Sequence, residues 1–414
     1  MKQLLAISSL LLSTALLLVG HGMQLTLLPL RAAAEALPEY LIGASASLYF
    51  LGFVVGCFAL PRLIDRIGHI RCFAVLTAVM LSSILALDLL KGIAPLLILR
   101  FFTGVSICGL YTVIESWLNS QTAPETRGRV LALYTFVTLS AMMLGQLLIN
   151  IGPITSSTPF MLAAMFMALA IVPIGITRKM APAPVASARA SFSLLFQRSR
   201  SAFSAALLSG LVVGSFWSLG AVFASKYSSS QLDITLFMTM AIAGGALLQY
   251  PIGWVSDKID RRLVLVLLCV GASIISVAVA LSVQQPWHLA AVFVFGAMVM
   301  PLYAVALATA ADVSSSDEFV TIGTTVLLTN ALGSAIAPML LGKFMGSLGA
   351  TSLFWSFAVM CALFALYLKL QLKDARAVTV AAQTPFSVAA PDAAPNSFDL
   401  DPRATEFPEL DAGE

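Results

Sequence analysis

Twelve times the chain runs apolar for about twenty residues, the length that crosses roughly 30 Å of hydrocarbon. The runs fall at about 4–29, 40–61, 70–90, 93–118, 128–151, 159–177, 203–224, 232–255, 262–283, 287–311, 320–342 and 348–371. So much apolar sequence in so many separate segments has nowhere to go but lipid. In lipid each segment must satisfy its own backbone, so the runs predict an all-α membrane protein of twelve transmembrane helices. Glycine and proline inside the runs do not disqualify them, because neighbouring helices can satisfy the freed groups. The first run, "LLAISSLLLSTALLLVG", outlasts the apolar core of a secretory signal and is read as a span. Charged residues are 10% of the chain, against roughly a quarter in soluble domains.

The charges that remain are unevenly placed. With the N-terminus inside, thirteen Lys and Arg fall in the inner loops, among them Arg62, Arg66, Arg71, Lys258, Arg261 and Arg262. Four fall in the outer loops: Arg31, Lys91, Lys226 and Lys343. The positive-inside rule then places both termini in the cytoplasm. The inner loop 312–319 dissents, with Asp312, Asp317 and Glu318 and no Lys or Arg.

Several function classes drop out. A net charge of +3 and no basic run interleaved with aromatics give nucleic acid nothing to hold. The five cysteines all lie in or beside apolar runs, as buried free thiols do. The three histidines are too scattered for a metal site. The chain has no phosphate-binding loop and no nucleophile–base–orienter set, so neither an enzyme nor a cofactor is expected.

Two short charged stretches interrupt the apolar sequence: "PRLIDRIGHIR" (61–71) and "GWVSDKIDRR" (253–262). Sliding the sequence along itself puts Asp65 on Asp257, Gly104 on Gly296 and Tyr111 on Tyr303, all at an offset of 192. In the first span "VGHGMQ" (19–24) aligns with "VGSFWS" (213–218) at 194, and in the fifth Gly145 aligns with Gly333 at 188. The simplest account is two pseudo-symmetric six-helix bundles, residues 1–177 and 203–372. A cytoplasmic linker (178–202) joins them, its "SFSLLFQRSR" suited to the anionic membrane surface. Residues 373–414 are Ala/Pro-rich and acidic, which predicts a disordered cytoplasmic tail.

Charges inside a span cost about 2.5–3.5 kcal/mol each at its centre, and Arg100 and Glu115 of the fourth span stand out. They lie about 22 Å apart along the helix, too far to pair with each other. Arg100 either binds an anionic group of a solute or is a structural Arg bonded to backbone carbonyls. Glu115, near the inner end, is expected to pair with Arg66, Arg71, Arg127 or Arg129; its rival role is protonation in proton coupling. Asn150, Gln249 and Asn330 read as interhelical hydrogen bonds, "TAPE" (122–125) as a capping box, and His69 as an exposed loop histidine.

Two repeated halves with a charged loop after the second and eighth spans resemble the major facilitator superfamily. Its loop pattern, Gly-x-x-x-Asp-Arg/Lys-x-Gly-Arg-Arg/Lys, is met by Gly253, Asp257, Lys258, Arg261 and Arg262, with Asp260 where Gly is usual. The first copy keeps Asp65, Arg66 and Gly68 but has Pro61 for the leading Gly and His69 for an Arg. "RFFTG" (100–104) is similar to the family's fourth-helix signature, and "VIESWLNSQTAPETRGRVLALY" (113–134) looks like its bacterial YcaD-like branch.

The resemblance implies a secondary transporter of the bacterial cytoplasmic (inner) membrane, working as a monomer. It would move a small organic solute by alternating access, with protons as a candidate coupling ion. The cavity helices of the family then offer His21, Gln24, Arg100, Tyr111, Trp217, Met300 and Tyr303 as substrate-binding candidates. Asp65, Arg66, Glu115, Gly253, Asp257, Lys258 and Arg261 would form a latch that closes the inner gate. The alternative is a membrane sensor or scaffold that keeps the transporter fold without moving solute.

Overall fold

All twelve expected spans are helical in the computed structural model, which describes residues 2–122, 126–176, 190–372, 378–386, 395 and 398. In order they are α1 (Lys2–Ala34), α2 (Glu39–Ile67), α3 (His69–Leu89), α4 (Ile93–Gln121), α5 (Arg127–Leu148), α6 (Thr158–Leu169) with α7 (Ile171–Gly175), α9 (Arg200–Ser225), α10 (Gln231–Ser256), α11 (Arg261–Leu281), α12 (His288–Val299) with α13 (Pro301–Ala311), α14 (Ser316–Leu348) and α15 (Ser352–Gln371). The tenth span breaks in two because Pro301 has no N–H to continue the helix and sits where a new one can begin. A short helix, α8 (Phe192–Arg198), precedes α9 with Phe192 and Phe196 exposed. The expected capping box falls on residues of which 123–125 lie outside the described ones.

Consecutive spans run in opposite directions. One end of the bundle therefore gathers the α2–α3, α10–α11 and α13–α14 turns and the C-terminal segment. We call it the tail end, and its opposite the far end. Hydroxyls within the spans bond back to their own helix, as Thr14 does to Leu10, Thr103 to Leu99 and Thr309 to Val305 (2.7–2.9 Å). Such bonds leave the polar group satisfied without a partner helix. All five cysteines are buried free thiols, with Cys57 and Cys108 Sγ atoms 3.4 Å apart.

The repeat is written into the closest helix contacts. A Cβ on Gly104 would fall 1.8 Å from the Tyr49 carbonyl oxygen, and one on Gly52 2.1 Å from that of Phe101. The same two contacts recur 192 residues on, Gly296 against Ala241 and Gly244 against Phe293, both at 1.9 Å. Only glycine permits such an approach, and small residues are what hold helices together in lipid. The α1–α5 pair repeats in α9–α14 at a different offset. Gly22 meets the Met142 carbonyl as Gly210 meets that of Asn330, and Gly145 meets Val19 as Gly333 meets Leu207. That offset is 188. The register of 194 expected for the first span is therefore wrong, because a shared Val-Gly is too short to fix alignment in apolar sequence.

Polar contacts joining the first six spans to the last six cluster at the far end. Lys226 pairs with Glu39 at 2.8 Å. Asn150 donates to Thr235 at 2.8 Å, and Gln231 donates to the Ile149 and Gly152 carbonyls at 2.7 and 3.0 Å. Backbones of α2 and α14 touch at the same end, with a Gly43 Cβ only 2.1 Å from the Pro338 carbonyl oxygen.

Candidate functional site

Two groups of polar residues emerge, one at membrane depth and one at the tail end. The first centres on Arg100, 3% exposed and about 10 Å along α4 from its far end. Its guanidinium carbon lies 4.5 Å from the centroid of the Tyr49 ring, a cation–π contact, and its Nε and Nη1 make no hydrogen bond within the chain. The Tyr49 hydroxyl is 3.2 Å from Nε2 of His21, and the two rings stack at 6.1 Å. The other ring nitrogen of His21 and the amide of Gln24, one turn further along α1, are buried and without a hydrogen bond of normal geometry. Unpaired polar groups in an apolar interior cost roughly 1–3 kcal/mol each, so this cluster is expensive to leave unbound.

The structure thus brings together three of the sequence-predicted residues, His21, Gln24 and Arg100, and adds Tyr49. Tyr49 was missed because it lies on α2, outside the four cavity helices of the resemblance. A tyrosine at span depth, in register with Arg100 on a helix held against α4 by glycine, is the signal that could have found it. Tyr111 is buried about 16 Å further along α4 and belongs to a different layer. Trp217 is buried on α9, its ring 6.2 Å from that of Phe216. Met300 packs against Gly245, where a Cβ would fall 2.4 Å from its sulfur, which gives it a packing role. Tyr303, 1% exposed, is enclosed in α13.

At the tail end the two charged turns differ. In the second, Arg261 is 1% exposed and donates to Asp257 at 2.6 Å, to Asp312, and to the Ala308 carbonyl at 3.2 Å. Asp260, where the family has Gly, caps α11 by accepting from the Arg262 N–H at 2.9 Å and from its side chain at 2.8 Å. Arg262 in turn reaches the Gln371 carbonyl. Lys258 lies 3.3 Å above the ring of Trp254. Burial raises the Asp312 carboxyl above the usual carboxylate range, and Arg261 with bonds from Thr384 offsets this only in part.

The first turn is looser. Gly68 sits at φ 83°, a left-handed conformation that suits glycine, and ends α2. Asp65 and Arg66 are exposed. His69, expected to be an exposed loop histidine, is instead 3% exposed and 3.1 Å from the Ser116 hydroxyl, because α3 begins at it and packs it onto α4. Glu115 is fully buried and accepts from the Tyr134 hydroxyl of α5 at 3.1 Å, a partner not among the arginines expected for it.

Part of the segment expected to be disordered makes defined contacts. Residues 378–386 lie against the second turn. The Thr384 N–H and hydroxyl both donate to Asp312 at 3.0 Å, and the Phe386 N–H donates to Asp257 at 3.0 Å. Phe386 covers Gly253. Low overall hydrophobicity hid these local anchors.

Among known proteins, the Major Facilitator Superfamily profile matches residues 10–314 and 202–395. The chain is 30% identical over 361 residues to a protein of Escherichia fergusonii described as the uncharacterized MFS-type transporter YcaD, covering 85% of this chain and 91% of that one. It is 29% identical over 317 residues to the protein so described in Salmonella typhimurium, covering 76% and 82%. Among solved structures, the nucleoside transporter NupG superposes with a TM-score of 0.75 at 14% identity, over 89% of this chain and 99% of that one. The fucose:proton symporter FucP in the outward conformation gives 0.58 at 13% identity, over 92% of this chain and 100% of that one. Twelve spans, a glycine-locked internal repeat and these matches together make the chain a YcaD-like membrane transporter of the major facilitator superfamily.

Proposed function

We propose that the protein moves a small anionic or amphiphilic organic solute across the bacterial cytoplasmic membrane by alternating access. The observation that carries this reading is the buried Arg100 cluster. Three polar side chains, His21, Gln24 and Arg100, converge at span depth, the Arg100 Nε and Nη1 make no hydrogen bond within the chain, and Arg100 is steadied from one face by Tyr49. A guanidinium with free N–H groups suits a carboxylate or phosphate better than any neutral group.

In this reading residues 1–177 and 203–372 rock about the cluster as two units. Both termini and the charged turns face the cytoplasm, and the gate at the far end is shut by the Glu39–Lys226 pair and the Gln231 bridge. The turns at 61–71 and 253–262, with Glu115, act as the opposing latch. A gradient supplies the driving force, and Glu115 is a candidate for coupling it to protons.

The test begins with a thermal-shift screen of carboxylated solutes against their neutral analogues, followed by counterflow in proteoliposomes. Flux of an anionic ligand that the protein binds supports transport; binding with no flux for any ligand sinks it. Replacing Arg100 by Lys keeps the charge and removes the planar fork. It should weaken that ligand about tenfold, the loss of one charge-assisted bond, with folding intact.

A further inference from the structure

The C-terminal segment returns to the place in the last six spans where charge is most deeply buried. Asp257 accepts the Phe386 N–H on both carboxylate oxygens, at 3.0 and 3.2 Å. Asp312 accepts the Thr384 N–H and hydroxyl. The Thr384 carbonyl accepts from Arg261, and the Gln383 amide donates to the Ile259 carbonyl at 3.3 Å. The Phe386 ring lies so close over Gly253 that a Cβ there would fall 2.1 Å from it. Twelve residues on, Phe398 is 2% exposed, edge-on to Phe319 with ring centroids 6.3 Å apart and pressed over Gly323 of α14. Thr384 and Phe386 thus form an ionic anchor, and Phe398 an aromatic one, against α10, α11, α13 and α14.

These contacts have a consequence for the gate. In the latch proposed above, Asp257 would face the end of a helix from the first six spans, whose first N–H groups have no partner within their own helix. The tail supplies the same kind of donor to Asp257, and the Phe386 ring over Gly253 fills the space that a helix end would need to reach this turn. A tethered segment needs little intrinsic affinity to compete, because a short linker keeps its effective concentration near the millimolar range.

We infer that the tail, through Thr384, Phe386 and Phe398, is an intramolecular competitor of the latch: docked, it holds the tail end of the transporter from closing, and released, it lets the gate shut. The inference rests on the alternating-access reading above. It assigns Gly253 a second use, as the floor of a phenylalanine site.

The test is a pair of spin-label distances in the full-length protein and in a variant lacking residues 378–414. One pair, Arg71→Cys with Lys369→Cys, reports the tail end; the other, Lys91→Cys with Lys343→Cys, reports the far end. All four positions are exposed, and the five native thiols, being buried, stay in place. Truncation should shift the ratio of short to long tail-end distances by about fivefold or more towards short, with the far end opening in step. Phe386→Ala should move it the same way, and a synthetic peptide of residues 378–398 should reverse the effect of truncation. If the two states exchange but neither truncation nor Phe386→Ala changes their ratio, the tail is no competitor. If the two ends never move in opposition in any variant, alternating access itself fails and takes this inference with it.

Discussion

The turns at 61–71 and 253–262 occupy matching places in two halves of one fold, yet they hold together by different chemistry. His69 and Arg261 are equivalent at the 192-residue offset. So are the groups they touch, since the Ser116 hydroxyl and the Ala308 carbonyl belong to positions that are also 192 apart. The second copy buries a full charge and answers it with Asp257 and Asp312. The first buries an imidazole and answers it with a hydroxyl, and Ser120, the counterpart of Asp312, is exposed. A repeat conserves where groups meet before it conserves what they are. The ionic copy is also the one the tail covers.

The largest consequence concerns stability. Arg261→Ala leaves Asp312 buried without its cation, and breaking a buried pair in this way costs about 3–5 kcal/mol. His69→Ala removes one neutral hydrogen bond, worth about 1 kcal/mol. Thermal unfolding followed with a thiol-reactive dye reads both, because Cys57, Cys72, Cys108, Cys269 and Cys361 are buried and report as the core opens. Equal losses would mean that the two turns carry equal weight and that the comparison is cosmetic.

How much of this was legible beforehand follows from which forces write themselves into sequence. The twelve spans were, because a helix in lipid must be apolar along its whole length, and so was the 192 register, because Gly104 and Gly296 tolerate no side chain. The register of the first span was not, since the glycines that fix it, Gly22 and Gly210, look like any other in apolar sequence. Arg100, His21 and Gln24 were visible as polar groups at depth. Tyr49 was invisible as their partner, because its role depends on how α2 lies against α4. The tail anchors were hidden for the opposite reason: averages over an acidic, alanine-rich segment conceal two phenylalanines that each find a glycine.

A sharper form of the comparison is to move the second copy's chemistry into the first. His69→Arg alone puts a buried charge beside Ser116 with only the exposed Asp65, four residues back, to answer it, and should cost about 1–3 kcal/mol. Adding Ser120→Asp supplies the missing carboxylate at the position equivalent to Asp312. The double variant should recover about 0.5–1 kcal/mol, no more, because position 120 is exposed and exposed pairs contribute little. A double-mutant cycle in the same dye assay measures the coupling. A coupling near zero would show that the tail, and not the pairing, makes the second copy strong.

The smallest effect separates two acids within the second copy by the sign of their pH dependence. Burial lifts the Asp312 carboxyl, and Arg261 and Thr384 do not fully offset it, so its folded pKa stands above the unfolded one. Folding then favours the protonated acid, and the stability it contributes is fully present below about pH 3.9 and lost as pH rises through the raised value. Asp260 runs the other way. Burial pushes its carboxyl up, but bonds from the Arg262 side chain and N–H, with the Arg262 charge, bring it below the usual range. Its contribution is present above about pH 3.9 and fades as pH falls through the depressed folded value. Unfolding midpoints of the wild type, Asp312→Asn and Asp260→Asn, taken from neutral pH down to the limit of reversible unfolding, give two difference curves. The wild type should gain on Asp312→Asn as the medium is acidified and lose ground to Asp260→Asn. Curves of the same sign would mean that Arg261 neutralises Asp312 as fully as Arg262 does Asp260, and that burial beneath the tail is not felt by the carboxylate it covers.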